Sequence, residues 1–218
     1  MDPIELQPLG DRAFLAHFPT ERDAADWAAA VRQRRGRGVT DVVLAYRAVA
    51  VFADPEQVEL LELESRLRAI APVAGTDCRG QRVRIPVLYD GADLDAVAAR
   101  RNLSRAEVID LHGGVEYDVF AIGFLPGFPY AGYLPAALSG LPRRAAPRLR
   151  VPAGSVGIAG RQTGIYPRES PGGWHLLGRT PLCIADPDEG YFPIRAGDRL
   201  QFVAISVAEF EARRDERL

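Results

Sequence analysis

The first 70 residues combine two hydrophobic patterns. Apolar and polar residues alternate over residues 4–8, 12–18, 39–45 and 48–53, which predicts four short strands. A helix is predicted from Thr20 to about Arg35, with its apolar stripe at Ala24, Trp27, Ala28 and Val31. A second helix is predicted to be capped by Asp54 and Gln57, with an apolar face at Leu60, Leu63, Leu67 and Ile70. The order β-β-α-β-β-α predicts a small sheet with both helices on one side, and it excludes a doubly wound nucleotide-binding fold.

Beyond residue 80 the pattern changes to short strands separated by Gly and Pro. Residues 82–89 alternate as a strand, and a helical insertion follows near residues 93–112. Asp93 is predicted to cap its first helix, and Ser104 with Glu107 to form a capping box for the second. Further strands are predicted over 117–123, 154–159, 163–166, 174–178, 182–185 and 198–205, and a helix over 207–218. Eleven Gly and nine Pro between residues 123 and 183 exclude helices there and indicate a barrel or a sandwich.

The change of pattern predicts two domains. The stretch Pro72–Arg79 is polar, contains Gly and shows no periodicity, so we place the boundary there. The sequence therefore predicts an α+β protein, with a small α/β domain over residues 1–76 and a β-rich domain over residues 77–218.

Composition narrows the possible chemistry. All 27 basic residues are Arg, so the chain lacks the Lys of a Walker A loop, of a Schiff base and of a biotin attachment site. A net charge of −2 argues against a nucleic-acid partner. No apolar run reaches the roughly 18 residues of a membrane span, and the acidic N-terminus does not resemble a secretory signal. Two cysteines suit a reducing cytoplasm, which is the expected location.

Neither a metal site nor a serine hydrolase is expected. The three His (His17, His112 and His175) and the two Cys (Cys78 and Cys183) lack the short spacing of zinc ligands. Ser155 lies in a sequence that imitates a nucleophile elbow, but the residues after it are Gly-rich and strand-like, whereas an elbow leads into a helix.

The densest chemical signal lies in two segments, residues 122–130 and residues 152–181. Their Gly, Pro and aromatic residues predict rigid loops whose backbone amides face a ligand. These loops can present the polar groups of Gln162, Thr163, Tyr166, His175 and Arg179. A purely structural alternative stays open, in which the Gly and Pro serve only the turns of a barrel and Trp174 is only a core residue. A separate cluster, Arg143, Arg144, Arg148 and Arg150, indicates a solvated loop, a partner surface or an anion site.

At these segments the sequence resembles the allophanate hydrolase subunit 1 family, also described as carboxyltransferase subdomains C and D. The resemblance runs from Gly10 to Phe202 and is carried by Pro-Gly-Phe-Pro-Tyr at 126–130, Gln-Thr-Gly-Ile-Tyr-Pro at 162–167 and Ser-Pro-Gly-Gly-Trp-His at 170–175. Two departures stand out. Ala131-Gly132-Tyr133 replaces the Leu-Gly-Gly that is usual in the family, and Arg161 stands where a small residue is common.

The resemblance implies that the β-rich domain is a cyclophilin-like β-barrel. The family includes the B subunit of 5-oxoprolinase (PxpB) and the kinase inhibitor KipI. It therefore implies an ATP-dependent enzyme that opens 5-oxoproline to L-glutamate, with this chain acting beside homologues of the C subunit and the A subunit and inactive alone. Two other functions stay open: one half of a biotin-dependent carboxyltransferase for urea or a related amide, with biotin on another chain, and a non-enzymatic inhibitor of a histidine kinase.

These expectations assign roles to named residues. His175 and His112 are candidate proton donors or acceptors for the lactam nitrogen. Substrate or phosphate binding is expected from Gln162, Thr163, Tyr166, Arg179, Gly172 and Gly173. A partner interface is expected from the aromatic residues Phe124, Phe128, Tyr130 and Tyr133.

Overall fold

A computed structural model describes residues 5–34, 36–70 and 80–218. The chain forms two compact units, Met1–Arg79 and Gly80–Leu218. The predicted boundary stretch Pro72–Arg79 lies outside the described residues, as does Cys78.

The first unit contains one antiparallel sheet and two helices. Its elements are β1 (Glu5–Pro8), β2 (Ala13–His17), α1 (Glu21–Gln33), β3 (Val39–Ala45), β4 (Ala48–Ala53) and α2 (Leu60–Arg68). The strand order is β1-β2-β4-β3, and α1 packs against β3 and β4. The hydroxyl oxygen of Thr20 accepts a hydrogen bond from the Asp23 amide at 3.1 Å, as expected of an N-cap. The apolar stripe of α1 is buried as predicted: Ala24, Trp27, Ala28 and Val31.

The predicted start of the second helix is wrong. Helix α2 begins at Leu60, six residues beyond the predicted cap. The Asp54 carboxylate instead closes a turn, accepting hydrogen bonds from the Glu56 amide at 3.0 Å and the Gln57 side chain at 2.7 Å. An Asp followed by Pro suits a turn as well as a cap, and local sequence does not separate the two.

The second unit is a nearly closed barrel with helices attached. Its elements are β5 (Arg82–Val87), α3 (Leu94–Arg101), α4 (Arg105–Gly113), β6 (Glu116–Ile122), β7 (Pro129–Gly132), β8 (Arg148–Val151), β9 (Ser155–Ala159), β10 (Gln162–Ile165), β11 (Ser170–Gly172), β12 (His175–Arg179), β13 (Arg199–Ala204) and α5 (Val207–Ala212). Seven strands form one sheet in the order β12-β9-β10-β7-β6-β13-β5, and β8 pairs with β11. The fold is α+β, with a small N-terminal domain followed by a cyclophilin-like barrel.

The two edges of the seven-stranded sheet meet at one backbone bridge. Leu88, just after β5, exchanges two 2.9 Å hydrogen bonds with Arg179, the last residue of β12. This bridge joins the edge strands and nearly closes the barrel around its apolar interior, which includes Ile85, Tyr117, Ile158, Ile165 and Phe202. Closure fixes the backbone at Arg179, a predicted binding residue.

Several strand predictions differ from the structure. Strands β7, β8 and β11 are missing from the predicted elements, because they contain Pro, Gly or exposed Arg rather than an alternating apolar pattern. Conversely, residues 182–185 form no strand. Cys183 makes only an isolated bridge to Arg217, so this buried apolar run pairs with the C-terminal tail. The Ser104–Glu107 capping box is confirmed. None of the helices in the described part of the chain is long and apolar enough to span a membrane.

Candidate functional site

The motif-rich segments meet in a packed aromatic cluster. Phe128, Tyr166 and Trp174 are buried, and the Phe128 ring lies 5.2 Å from Tyr166 and 5.5 Å from Trp174, both edge to face. Such pairs stabilise a fold by about 0.5–1.5 kcal/mol beyond the area they bury. Burial raises the pKa of Tyr166, although the Trp174 amide donates a hydrogen bond to its hydroxyl oxygen. Tyr166 is therefore a neutral packing residue near pH 7.

Close packing also explains two of the motif glycines. A Cβ atom at Gly172 would lie 2.4 Å from the Tyr166 hydroxyl, and one at Gly164 would lie 2.8 Å from the Phe128 ring. Both distances are far below a normal contact, so any side chain there would push the aromatic cluster apart. Gly173 has room for a Cβ, with its nearest neighbours at 3.8 Å.

The His112 side chain is enclosed in the interior of the C-terminal unit, in contact with Thr163. Its side chain is fully buried, with Nδ1 2.8 Å from the Tyr89 hydroxyl and Nε2 2.9 Å from Thr163 Oγ1. Thr163 donates its own proton to the Gly157 carbonyl at 3.2 Å, so His112 Nε2 donates to Thr163 and Nδ1 accepts from Tyr89. Burial lowers the pKa of His112 to about 3. We infer that His112 and Thr163 have a structural role in place of the catalytic and binding roles expected from sequence.

His175, the first residue of β12, contacts the loop that precedes β8. It is buried, and its Nε2 donates to the Pro142 carbonyl at 2.9 Å. A second link joins the Arg144 amide to the Gly173 carbonyl at 2.8 Å. We infer that His175 holds this loop against β12.

The same loop is tied to α3 by a buried carboxylate. Asp93, only 3% exposed, accepts hydrogen bonds at 2.8 Å from Arg144, Arg148 and the Leu176 amide. Burial alone would raise the pKa of Asp93, but the bonds from Arg148 and Leu176 and the charges of both Arg residues hold it below its usual range. Asp93 stands at the predicted N-cap position of α3, but its side chain makes no cap hydrogen bond and joins three parts of the unit instead.

A groove of about 680 Å³ lies beside the point where the barrel closes. Arg179 projects into it and binds Asp90, with Nη2 to Oδ2 at 2.9 Å. The lining also includes the hydroxyl residues Ser155 and Thr180, and the charged residues Arg148, Arg150, Arg214 and Asp215. Guanidinium groups recognise carboxylates and phosphates, while the carboxylates and hydroxyls can accept from a ligand N–H. The groove thus suits a small ligand that carries an anionic group and an amide.

Of the predicted binding residues, only Arg179 lies in this groove. Its lining residues do not include His112, His175, Gln162, Thr163, Tyr166, Gly172 or Gly173. Sequence reasoning missed Asp90 and Phe210, which flank Arg179. The position of Asp90 directly after the predicted strand 82–89 is a usable signal, whereas nothing in the sequence connects Phe210 to Arg179. Ser155 is the first residue of β9, so the chain continues from it as a strand and not as a helix, in agreement with the argument against a nucleophile elbow.

The predicted partner residues divide into exposed and buried sets. Phe124 is 59% exposed and Tyr133 is 39% exposed, while Tyr130 is half-buried and Phe128 is only 1% exposed. Phe124 has φ +64°, in a tight turn in which the Leu125 amide donates to the Gly123 carbonyl at 2.7 Å. Phe128 therefore supports the turn from the core, and Phe124 and Tyr133 form the accessible surface.

The two departures from the family pattern contact each other. The Arg161 guanidinium lies 3.8 Å from the centre of the Tyr133 ring, and Tyr133 packs on Phe120 with ring centres 4.8 Å apart. A cation over an aromatic face is attracted by the ring electrons. The two substitutions thus form one interacting pair on the surface.

Among the described residues, no group of three or more His, Cys, Asp or Glu side chains is arranged to hold a metal ion. Cys183 lines the groove as a free thiol.

Comparisons with known proteins agree with this architecture. The family model described as carboxyltransferase domain, subdomain C and D, matches residues 4–192. A protein from Bacillus subtilis that is named as the B subunit of 5-oxoprolinase is 37% identical, over 97% of both chains. Another of that name from Escherichia coli O157:H7 is 47% identical, over 70% of this chain and 72% of its own length.

Two further matches involve longer proteins. The crystal structure of TTHA0988 superposes with a TM-score of 0.79 at 40% identity. The match covers 89% of this chain but only 40% of that one, so this chain spans less than half of that protein. A segment of the urea amidolyase of Saccharomyces cerevisiae is 32% identical over 55% of this chain, which is 7% of that protein.

Proposed function

Because the chain belongs to the family of carboxyltransferase domains, subdomain C and D, we propose that it is the B subunit of an ATP-dependent 5-oxoprolinase. The observation that carries the proposal is the similarity to a 5-oxoprolinase B subunit over 97% of both chains. The reaction would open 5-oxoproline to L-glutamate in the cytoplasm, and that location stays a prediction.

The chemistry explains why ATP is needed. A five-membered lactam is a poor electrophile, and its nitrogen is a poor leaving group. Transfer of the γ-phosphoryl group of ATP to the amide oxygen, with release of ADP, activates the ring carbon. Water then adds there, the C–N bond breaks and the nitrogen takes a proton, which leaves an acyl phosphate of glutamate; a second water releases phosphate and gives L-glutamate. In this proposal Arg179 and Asp90 bind the substrate in the groove. ATP is held together with the partner subunits, since the sequence has no Lys.

An exposed aromatic surface supports the presence of a partner. Phe124 and Tyr133 are large, accessible aromatic residues, and such residues are common at interface centres. The match to TTHA0988 covers only 40% of that longer chain, which supports the idea that this fold works beside a further domain. We propose the C subunit of the enzyme as the direct partner and its A subunit as the third component.

Co-expression with the C-subunit homologue tests this assembly. We expect the two proteins to elute together in size-exclusion chromatography. Phe124→Asp should separate them, since a charge in a desolvated interface is costly. Leu61→Asp, at a residue 78% exposed on α2, is the matched control and should leave the complex intact. Two wild-type proteins that elute separately would contradict the proposal.

The Arg179→Ala variant tests the groove. We expect turnover of the reconstituted enzyme to fall at least ~10-fold, equivalent to ~1.4 kcal/mol in the barrier, because a substrate anion loses its cation. The variant should still fold and bind the C-subunit homologue. Arg82→Ala, which removes an exposed Arg paired with Glu116, is the matched control. Full activity in a folded Arg179→Ala complex would remove Arg179 from the site.

A carboxyltransferase acting on urea is the second candidate, favoured by the segment similar to urea amidolyase. That similarity covers 55% of the chain, against 97% for a 5-oxoprolinase component. The kinase-inhibitor hypothesis stays a prediction.

A further inference from the structure

The C-terminal tail forms one wall of the Arg179 groove. Phe210, Arg214 and Asp215 line it, although the family model ends at residue 192. The Arg179 guanidinium lies 4.5 Å from the centre of the Phe210 ring, and that of Arg214 lies 5.6 Å from the same ring. One aromatic ring from outside the matched region therefore lies beneath two cations of the groove.

The tail holds this ring firmly. Phe210 is 4% exposed and lies on α5, which begins with a complete capping box between Ser206 and Glu209. After the helix, the Asp215 amide donates to the Pro181 carbonyl at 2.9 Å, and the Cys183 amide donates to the Glu216 carbonyl at 2.9 Å. The backbone is thus held both before and after Phe210, which fixes the ring, whereas the Arg179 side chain is 44% exposed.

Asp90 alone does not fix Arg179. Its side chain is 41% exposed, and an exposed ion pair of this kind stabilises by only about 0–1 kcal/mol. A ligand anion can therefore compete with Asp90 for the guanidinium. The guanidinium carbon of Arg179 lies over the Phe210 ring. The ring attracts the cation without being a conventional hydrogen-bond acceptor, so the N–H groups stay available to a carboxylate or phosphate. The backbone at Arg179 is already fixed by its bridge to Leu88.

We propose that Phe210 is a positioning residue: its ring holds the Arg179 side chain across the groove so that the guanidinium edge can bind an anionic oxygen group of the ligand. This inference rests on the proposed function and deepens it. The anionic group is the carboxylate of 5-oxoproline or a phosphoryl group of ATP, and the kinetics below distinguish the two.

Steady-state kinetics of the reconstituted enzyme test the role. Phe210→Leu keeps an apolar side chain but removes the ring, and we expect KM to rise roughly 3- to 10-fold with a smaller change in kcat. A rise in KM for 5-oxoproline assigns the carboxylate, and a rise in KM for ATP assigns the phosphoryl group. Phe210→Tyr should restore the wild-type value. Arg213→Ala, which removes a tail ion pair to Glu216 away from the groove lining, is the matched control.

A double-variant cycle separates positioning from general packing. Because Phe210 acts through Arg179, Phe210→Leu should change KM little when Arg179 is already Ala. Additive effects of the two substitutions would overturn the proposal.

A second measurement does not depend on 5-oxoprolinase activity. In the isolated full chain, the Nε–H signal of Arg179 is assigned by its loss in Arg179→Ala, and its heteronuclear NOE reports side-chain order. We expect an ordered signal in wild type and Phe210→Tyr, and a mobile one in Phe210→Leu. An unchanged signal in a folded Phe210→Leu chain would overturn the proposal. The two proposals can fail separately. If the signal is ordered only when the ring is present, but the assembled complex does not turn over 5-oxoproline, the positioning role is supported and the proposed function is rejected.

Discussion

Replacing Asp93 with Ala is expected to destabilise the C-terminal unit by about 3–5 kcal/mol, because removing one partner of a buried ion pair leaves the others without compensation. Arg144, Arg148 and the Leu176 amide would all lose their shared acceptor. The loop before β8 would then separate from α3 and β12.

Urea unfolding followed by fluorescence measures this loss. The two Trp residues of the chain, Trp27 and Trp174, lie in different units, so a Trp27→Phe background reports on the C-terminal unit. Asp95→Ala is the matched control: Asp95 lies two residues further along, in the first turn of α3, is 75% exposed and pairs at the surface with Arg105. Its loss should cost less than ~1 kcal/mol. Equal losses of unfolding free energy in Asp93→Ala and Asp95→Ala would show that the buried ion pairs of Asp93 add no more stability than a surface ion pair.

Acid should destabilise the C-terminal unit through His112. Its pKa is about 3 when folded, against about 6.5 in an unfolded chain. As the pH falls between these two values, His112 is protonated in the unfolded chain but stays neutral in the folded one. The free energy of unfolding therefore falls by about 1.4 kcal/mol per pH unit, up to roughly 4–5 kcal/mol in all. Asp93 affects stability at lower pH than His112 does. Because the pKa of Asp93 is lowered in the folded chain, its contribution to stability is present above about pH 4 and is lost as the pH falls further.

The His112→Gln variant isolates this effect. It should be less stable than wild type at pH 7, and the difference should narrow as the pH falls from 6.5 towards 4, because Gln takes up no proton. His17→Gln, at an exposed position on β2, should keep the wild-type slope. Parallel curves for wild type and His112→Gln would show that His112 does not control acid stability.

The fold was largely predictable because its signals are local. Hydrophobic alternation and capping residues defined β3, β4, α1 and α4 within about two residues of their observed bounds. Strands β8 and β11 lack that signal, because each is stabilised by pairing with the other rather than by a buried face.

The site was less predictable, because side-chain roles depend on distant contacts. A motif rich in Gly and aromatic residues indicates either a binding loop or a close-packed turn, and only the 2.4 Å approach of a Cβ at Gly172 to Tyr166 identifies packing there. The position of Asp93 before α3 was predictable, but the role of its carboxylate was not, because Arg144 and Arg148, which bind it, lie more than 50 residues away in the sequence. Phe210 meets Arg179 only through the fold of the tail.

The most direct test of the proposed function is the amount of L-glutamate formed from 5-oxoproline and ATP by the chain assembled with its A-subunit and C-subunit homologues. We expect ATP-dependent glutamate formation by the complete set and none when this chain is omitted. The isolated chain should hydrolyse no ATP. Glutamate formation that is unchanged when this chain is left out, or an intact assembly that forms no glutamate, would contradict the assignment.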